Sequence, residues 1–199
     1  MVEVNCETDF VARNDDFRAF ANEVAQIVAR DQPADVAALA ARPLASGDTV
    51  EARRVALVQK IGENIALRRF VRLEAQGRIA SYVHGTRIGV LVDYTSGNEA
   101  LGKDLAMHIA AFSPTVLTRD EVPAETVENE RRVAEATAKE EGKPEAALPR
   151  IIEGRVNGFF KENVLLEQAF AKDAKKTVGK VLEEGGATAT SFARFRVGQ

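Results

Sequence analysis

The chain has 199 residues, enough for one large domain or two small ones with a real hydrophobic core. Its 27 basic and 30 acidic side chains leave a formal net charge of −3, which argues against a nucleic-acid partner. A single cysteine and two histidines exclude an internal disulfide and a zinc cluster, and no apolar run reaches the roughly 18 residues of a membrane helix. With no signal-peptide pattern at the start, a cytoplasmic location is expected.

Val2 and Val4 alternate as in a strand and lead into Asn-Cys-Glu-Thr-Asp-Phe-Val at 5–11, a strand-to-helix corner. A helix is expected from near Asp15, capped by the oxygens of Asn14, Asp15 and Asp16, with Phe17, Phe20, Ala21, Val24, Ile27 and Val28 as one apolar stripe. Phe10 does not extend that stripe, because the positions one turn before Phe17 are Arg13 and Asn14. It is either a satellite core residue folded inward from the corner or an exposed aromatic. Cys6 reads as a small apolar strand residue rather than a nucleophile.

The alanine-rich stretch 33–42 predicts a short helix or packed connector, closed by Pro43 and a turn at 46–48. Asp48 with Glu51 forms a capping-box pattern and predicts a helix carrying Val55, Val58, Ile61 and Ile65. The period then changes. Runs at 67–73, 79–83 and 88–94, with short turns between them, predict a three-stranded antiparallel meander.

A further helix is expected at 98–112, with Leu101, Leu105, His108, Ile109 and Phe112 on or near one face, stopped by Ser113-Pro114. Taken alone, a histidine beside such a stripe reads as packed and hydrogen-bonded. Phe20-Ala21 and Val24-Ala25 align with Leu105-Ala106 and Ile109-Ala110, a weak internal repeat in which each helix follows a strand. The charged run 123–142 predicts a solvated helix, and Ile152, Val156, Phe159 and Phe160 mark an apolar one after it. Together they suggest an antiparallel helical hairpin that needs covering. A small helix with Val178, Val181 and Leu182 and a returning strand at 188–197 complete the chain.

No phosphate loop, Gly-x-Gly-x-x-Gly turn, Gly-x-Ser-x-Gly elbow or His-Glu-x-x-His pair occurs, so the chain is expected to bind no nucleotide and to hold no catalytic site. A dyad of Asp9 with His108 or His84 would be a structural coincidence.

Asn-Cys-Glu-Thr-Asp-Phe-Val-Ala-Arg-Asn at 5–14 resembles the Thr-Asp-Phe-Val signature of the elongation factor Ts family, the guanine-nucleotide exchange factors of elongation factor Tu. The resemblance continues through Val-Ala-Leu-Val-Gln-Lys-Ile-Gly-Glu-Asn-Ile at 55–65, Tyr-Val-His-Gly-Thr-Arg-Ile-Gly-Val-Leu-Val at 82–92 and Ala-Met-His-Ile-Ala-Ala at 106–111. Gly-Lys-Pro at 142–144, Glu-Gly-Arg at 153–155 and Lys-Thr-Val-Gly at 176–179 carry it to nearly the whole chain.

The resemblance implies an α+β fold of two related strand/helix subdomains around antiparallel sheet, at 1–57 and 58–139. It adds an inserted helical hairpin of the coiled-coil or dimerisation type at 140–186 and a returning core strand at 187–199. It assigns Thr8, Asp9, Phe10 and Val11 to partner binding and magnesium dislocation, with Met107 and His108 as partner-binding support. The implied partner is elongation factor Tu, and 140–186 is a candidate homodimer surface. No cofactor or metal is implied, and no direct nucleotide, nucleic-acid or membrane binding. Members usually carry an N-terminal three-helix module and often a C-terminal helix; with Met1 almost on the first strand and Gln199 just after the last, both are expected to be lacking. The alternative class is a ribosome- or RNA-associated structural module, disfavoured because no aromatic residues interleave with Lys and Arg.

Overall fold

The computed structural model describes residues 1–199 and shows an α+β protein of helices and antiparallel sheets. Two units divide the chain. The first holds residues 1–74, 81–91 and 193–199; the second holds 75–80 and 92–192.

In the first unit, β1 (Val2–Asn5) pairs antiparallel with β2 (Ala66–Phe70), setting Val2 opposite Phe70 and Glu3 opposite Arg69. The three-run meander is therefore corrected: β2 joins β1, while β3 (Arg78–His84) and β4 (Ile88–Ser96) join β7 (Ala187–Arg196) in the order β3-β4-β7. The reason for the first pairing is visible in its side chains. Glu3 is buried, and its carboxylate accepts a hydrogen bond from Arg69 Nε at 2.6 Å, with Arg68 Nε 3.6 Å away. A carboxylate taken from water needs such partners, and β2 supplies two. Val2, Val4, Leu67 and Phe70 meanwhile pack on the unit's core.

That core is built on α2 (Asp15–Asp31), whose Phe17, Phe20, Val24, Ile27 and Val28 are buried as the three-and-four spacing predicts. Asn14 Oδ1 accepts from Asp16 N and Phe17 N and caps it. Leu39 from α3 (Val36–Ala40) and Val50 and Leu57 from α4 (Val50–Ile61) complete it. The expected α4 start is displaced by one residue, and of the expected stripe Val58, Ile61 and Ile65 do reach the core while Val55 does not. Thr49, not Asp48, is the cap, its Oγ1 accepting from Ala52 N at 3.1 Å. Val50 and Leu57, two turns apart, face inward, Val55 is exposed, and Ile65 is buried beyond the helix end.

In the second unit, α5 (Glu99–Phe112) begins at Asn98, whose Oδ1 accepts from Leu101 N, and buries Leu105, Ala106, Ile109 and Ala110. It lies hard against Tyr94 of β4: a Cβ on Gly102 would stand 2.5 Å from the tyrosine ring. Gly102→Ala is accordingly expected to lower stability by about 1–3 kcal/mol, read as a shifted denaturant midpoint.

The charged α6 (Ala124–Glu140) packs on α7 (Leu148–Asn163), where Arg155 reaches Glu141 at 2.7 Å. Val156, Phe160 and Val164 form their apolar centre with Val116, Val127 and Ile152. Arg119 clamps it, forking onto Glu167 and lying 4.4 Å over the Phe160 ring. Residues 140–186 are not helical throughout. After α7 come β5 (Ala169–Phe170) and β6 (Asp173–Thr177), an antiparallel pair, and then α8 (Val178–Glu184). The Lys-rich β6 shows no apolar alternation, which is why sequence periodicity passed over it. No helix is long and apolar enough to cross a membrane.

Candidate interaction site

The corner at 8–12 folds as a four-residue helix, α1 (Asp9–Ala12). Thr8 caps it, Oγ1 accepting from Val11 N at 3.3 Å, and Asp9 places a negative charge in the first turn, where the free N–H groups favour it. So short a helix does not persist by propensity alone. Two further contacts fix it. Val11 turns inward and is buried in the first unit's core. Glu63, just past the end of α4, accepts from both Thr8 N at 3.0 Å and Thr8 Oγ1 at 2.6 Å. Gly62, at φ +83°, makes that reach feasible by ending α4 in a left-handed turn.

With Val11 pointing inward, its neighbour Phe10 points outward and is 80% exposed. It is not a satellite core residue. Asp9 beside it is tied to Arg13 at 2.9 Å, one turn away, and remains open to solvent. Cys6 Sγ donates to Thr8 O at 3.3 Å, and burial together with Glu63 raises its thiol pKa, so it is a poor nucleophile at neutral pH. Of the four residues expected here, Thr8, Asp9 and Phe10 reach the surface, while Val11 anchors the turn.

The second pair, Met107 and His108, lies on α5 in the other unit. His108 is fully buried, so its ring is not itself presented. Its Nδ1 accepts from Ala171 N at 3.2 Å, which leaves the proton on Nε2, 2.9 Å from Gln168 Oε1. Gln168 Nε2 in turn donates to the carbonyls of Glu162 and Phe112. The His108 ring stacks on Phe112 at 4.7 Å and on Phe170 at 5.7 Å. Burial lowers its pKa from the usual 6.5, against a weaker opposing effect of the Gln168 hydrogen bond, and the imidazole is neutral.

What this second site shows to solvent is Phe112, 50% exposed over the His108 ring, and Met107 beside it. Sequence periodicity placed Phe112 near the core face. Its position in the last turn before Ser113-Pro114 was the one sign that it could slip past the core edge. Glu63 carries no local signal of its contact with Thr8 within the Gly-Glu-Asn-Ile words at 62–65, because the two residues meet across 55 positions.

Fold and site together define an α+β protein that displays an aromatic side chain from a capped helical turn beside a solvent-open carboxylate. Residues 7–199 match the family profile described as Elongation factor TS. The chain is 54% identical over 199 residues to the elongation factor Ts proteins of Burkholderia pseudomallei (strain K96243) and Burkholderia mallei (strain ATCC 23344), covering all of this chain and 68% of each relative. The same figures hold for elongation factor Ts of Burkholderia multivorans. The chain belongs to the elongation factor Ts family, which sets it among the translation elongation factors.

Proposed function

We propose that the protein is a guanine-nucleotide exchange factor that binds elongation factor Tu in its GDP form and promotes GDP release in the cytoplasm. The observation that carries this is Phe10, a large aromatic held out in solvent on a turn that Glu63 and the buried Val11 fix in place. An exposed aromatic on a rigid platform is an anchor for a pocket in another protein. Phe10 enters the partner near its magnesium site, Asp9 and Thr8 displace the elements that hold the metal, and loss of the ion removes charge that retains the diphosphate. Met107 and the Phe112 ring stacked on His108 add a second contact, with His108 as its support.

Such a factor acts by binding, not as an enzyme. If it prefers nucleotide-free partner, linkage requires that it weaken GDP by the same factor, and it cannot alter the equilibrium between GDP and GTP loading. The second contact depends on the 140–186 segment, because Gln168 lies inside it and is the hydrogen-bond partner of His108.

The test is release of labelled GDP from purified elongation factor Tu with and without this protein, expected to accelerate in proportion to added factor. Unchanged release across the titration would sink the proposal. The isolated chain is expected to bind neither GDP nor GTP. A calorimetric titration giving a dissociation constant tighter than about 100 μM, on the order of −5.5 kcal/mol, would show that it carries a nucleotide site of its own.

A further inference from the structure

We infer that Glu63 is a positioning residue, the group that holds the 8–11 turn in the pose that presents Phe10. This rests on the exchange-factor reading above and names a residue outside the expected contact set.

Three features of the geometry point to Glu63. Both carboxylate oxygens are used on one residue: Oε2 accepts from Thr8 N and Oε1 from Thr8 Oγ1. The same Thr8 Oγ1 accepts from Val11 N, so the hydroxyl gives its single proton to Glu63 and turns a lone pair to the helix. Glu63 therefore fixes the orientation of the capping hydroxyl as well as its position. Finally, the contact joins residues 55 apart, from the end of α4 to the start of α1, whereas the Cys6 thiol, which also bonds Thr8, reaches its carbonyl from only two residues away.

The charge matters as well as the shape. A carboxylate accepting two hydrogen bonds is a stronger acceptor than a neutral amide. Glutamine at 63 would keep one acceptor and turn an NH2 group toward the second donor.

Without Glu63, α1 keeps Val11 in the core, the bare Thr8 cap, the weak Cys6 thiol bond and the exposed Asp9–Arg13 pair, too little to hold one turn of helix in a single pose. The outward pose becomes one of several. Affinity falls by the fraction of molecules still in it, so a pose populated to one part in ten costs about tenfold. A population effect of this kind is overcome by more factor.

The experiment uses Glu63→Ala and Glu63→Gln, each with Phe10 intact and with Phe10→Ala. It reads amide hydrogen exchange of 8–12 in the free protein and GDP release from elongation factor Tu across a range of factor concentrations. Expected for Glu63→Ala are faster amide exchange confined to the turn and release about tenfold slower at sub-saturating factor, recovering at saturation. Glu63→Gln should fall between this variant and the unaltered protein. In the Phe10→Ala background, Glu63→Ala should cost clearly less than in the unaltered protein, because the main side chain being positioned is gone and only Thr8 and Asp9 remain to be held. An equal loss in that background would mean that Glu63 touches the partner itself and would overturn the inference. So would slower release with unchanged exchange at 8–12. If Phe10→Ala alone leaves stimulated release untouched, Phe10 is not the anchor and the inference is overturned; if the unaltered protein does not stimulate release, the exchange reading fails and turn protection then decides for or against the hold by Glu63.

Discussion

Phe10→Ala is expected to leave the free protein folded and to slow factor-stimulated GDP release by at least ~30-fold at sub-saturating concentrations. The first half follows from exposure: with 80% of Phe10 in solvent, truncation opens no cavity, and surface changes of this kind stay within about 0.5 kcal/mol. A core phenylalanine would instead cost roughly 3–5 kcal/mol. The second half follows from the role of aromatic anchors, whose loss costs about 2 kcal/mol or more in a complex. That is the ~30-fold factor. Asp9→Ala should act on the same step by removing the carboxylate beside the ring. A sharply lowered unfolding midpoint with normal release per folded molecule would return Phe10 to the core and leave the corner without its proposed role.

His108→Ala is expected to do the opposite, lowering stability by about 3 kcal/mol or more, because it empties a fully buried site and orphans two partners. Gln168 Oε1 loses its donor and Ala171 N its acceptor, while Phe112 and Phe170 lose the ring between them. The same geometry sets a pH dependence. Protonating His108 would put an N–H on Nδ1, facing the Ala171 N–H. Burial of the ring, the largest cause, holds the folded pKa below the usual 6.5 of the unfolded chain, and this unfavourable N–H pair acts in the same direction. The stabilising effect is full above about 6.5 and is lost as pH falls through the folded pKa, with a limiting slope of ~1.4 kcal/mol per pH unit. Urea midpoints between pH 7.5 and 5.5 should fall for the unaltered protein and fall less for His108→Asn. Parallel decline in both would assign the acid sensitivity to other groups.

His108 shows what kind of inference the amino-acid sequence supports. Its place beside an apolar stripe predicted a packed, hydrogen-bonded histidine, and that is its structure. The family resemblance implies a contact role; with the ring buried, the proposed contact is made by Phe112 and Met107, which are exposed beside it. Phe10 is the reverse case. Its spacing excluded it from the α2 stripe but left open an inward fold; the structure turns it outward because Val11 takes the inward place.

The sequence by itself determined the elements whose signals are local. α2, its Asn14 cap and its stripe, α5 with its stop at Ser113-Pro114, and the final strand all follow from side-chain period and capping chemistry within a few residues. It also carried the family, because the matching words run the length of the chain. Only the tertiary structure decided which strand β2 would join, that a β-pair interrupts the 140–186 segment, and that Glu63 and Thr8, or Gln168 and His108, would meet across 55 and 60 residues. Periodicity states which face of an element is apolar and is silent on the partner of that face. The partner is chosen by long-range demands, such as the buried Glu3 carboxylate calling for the two arginines of β2, that no local window contains.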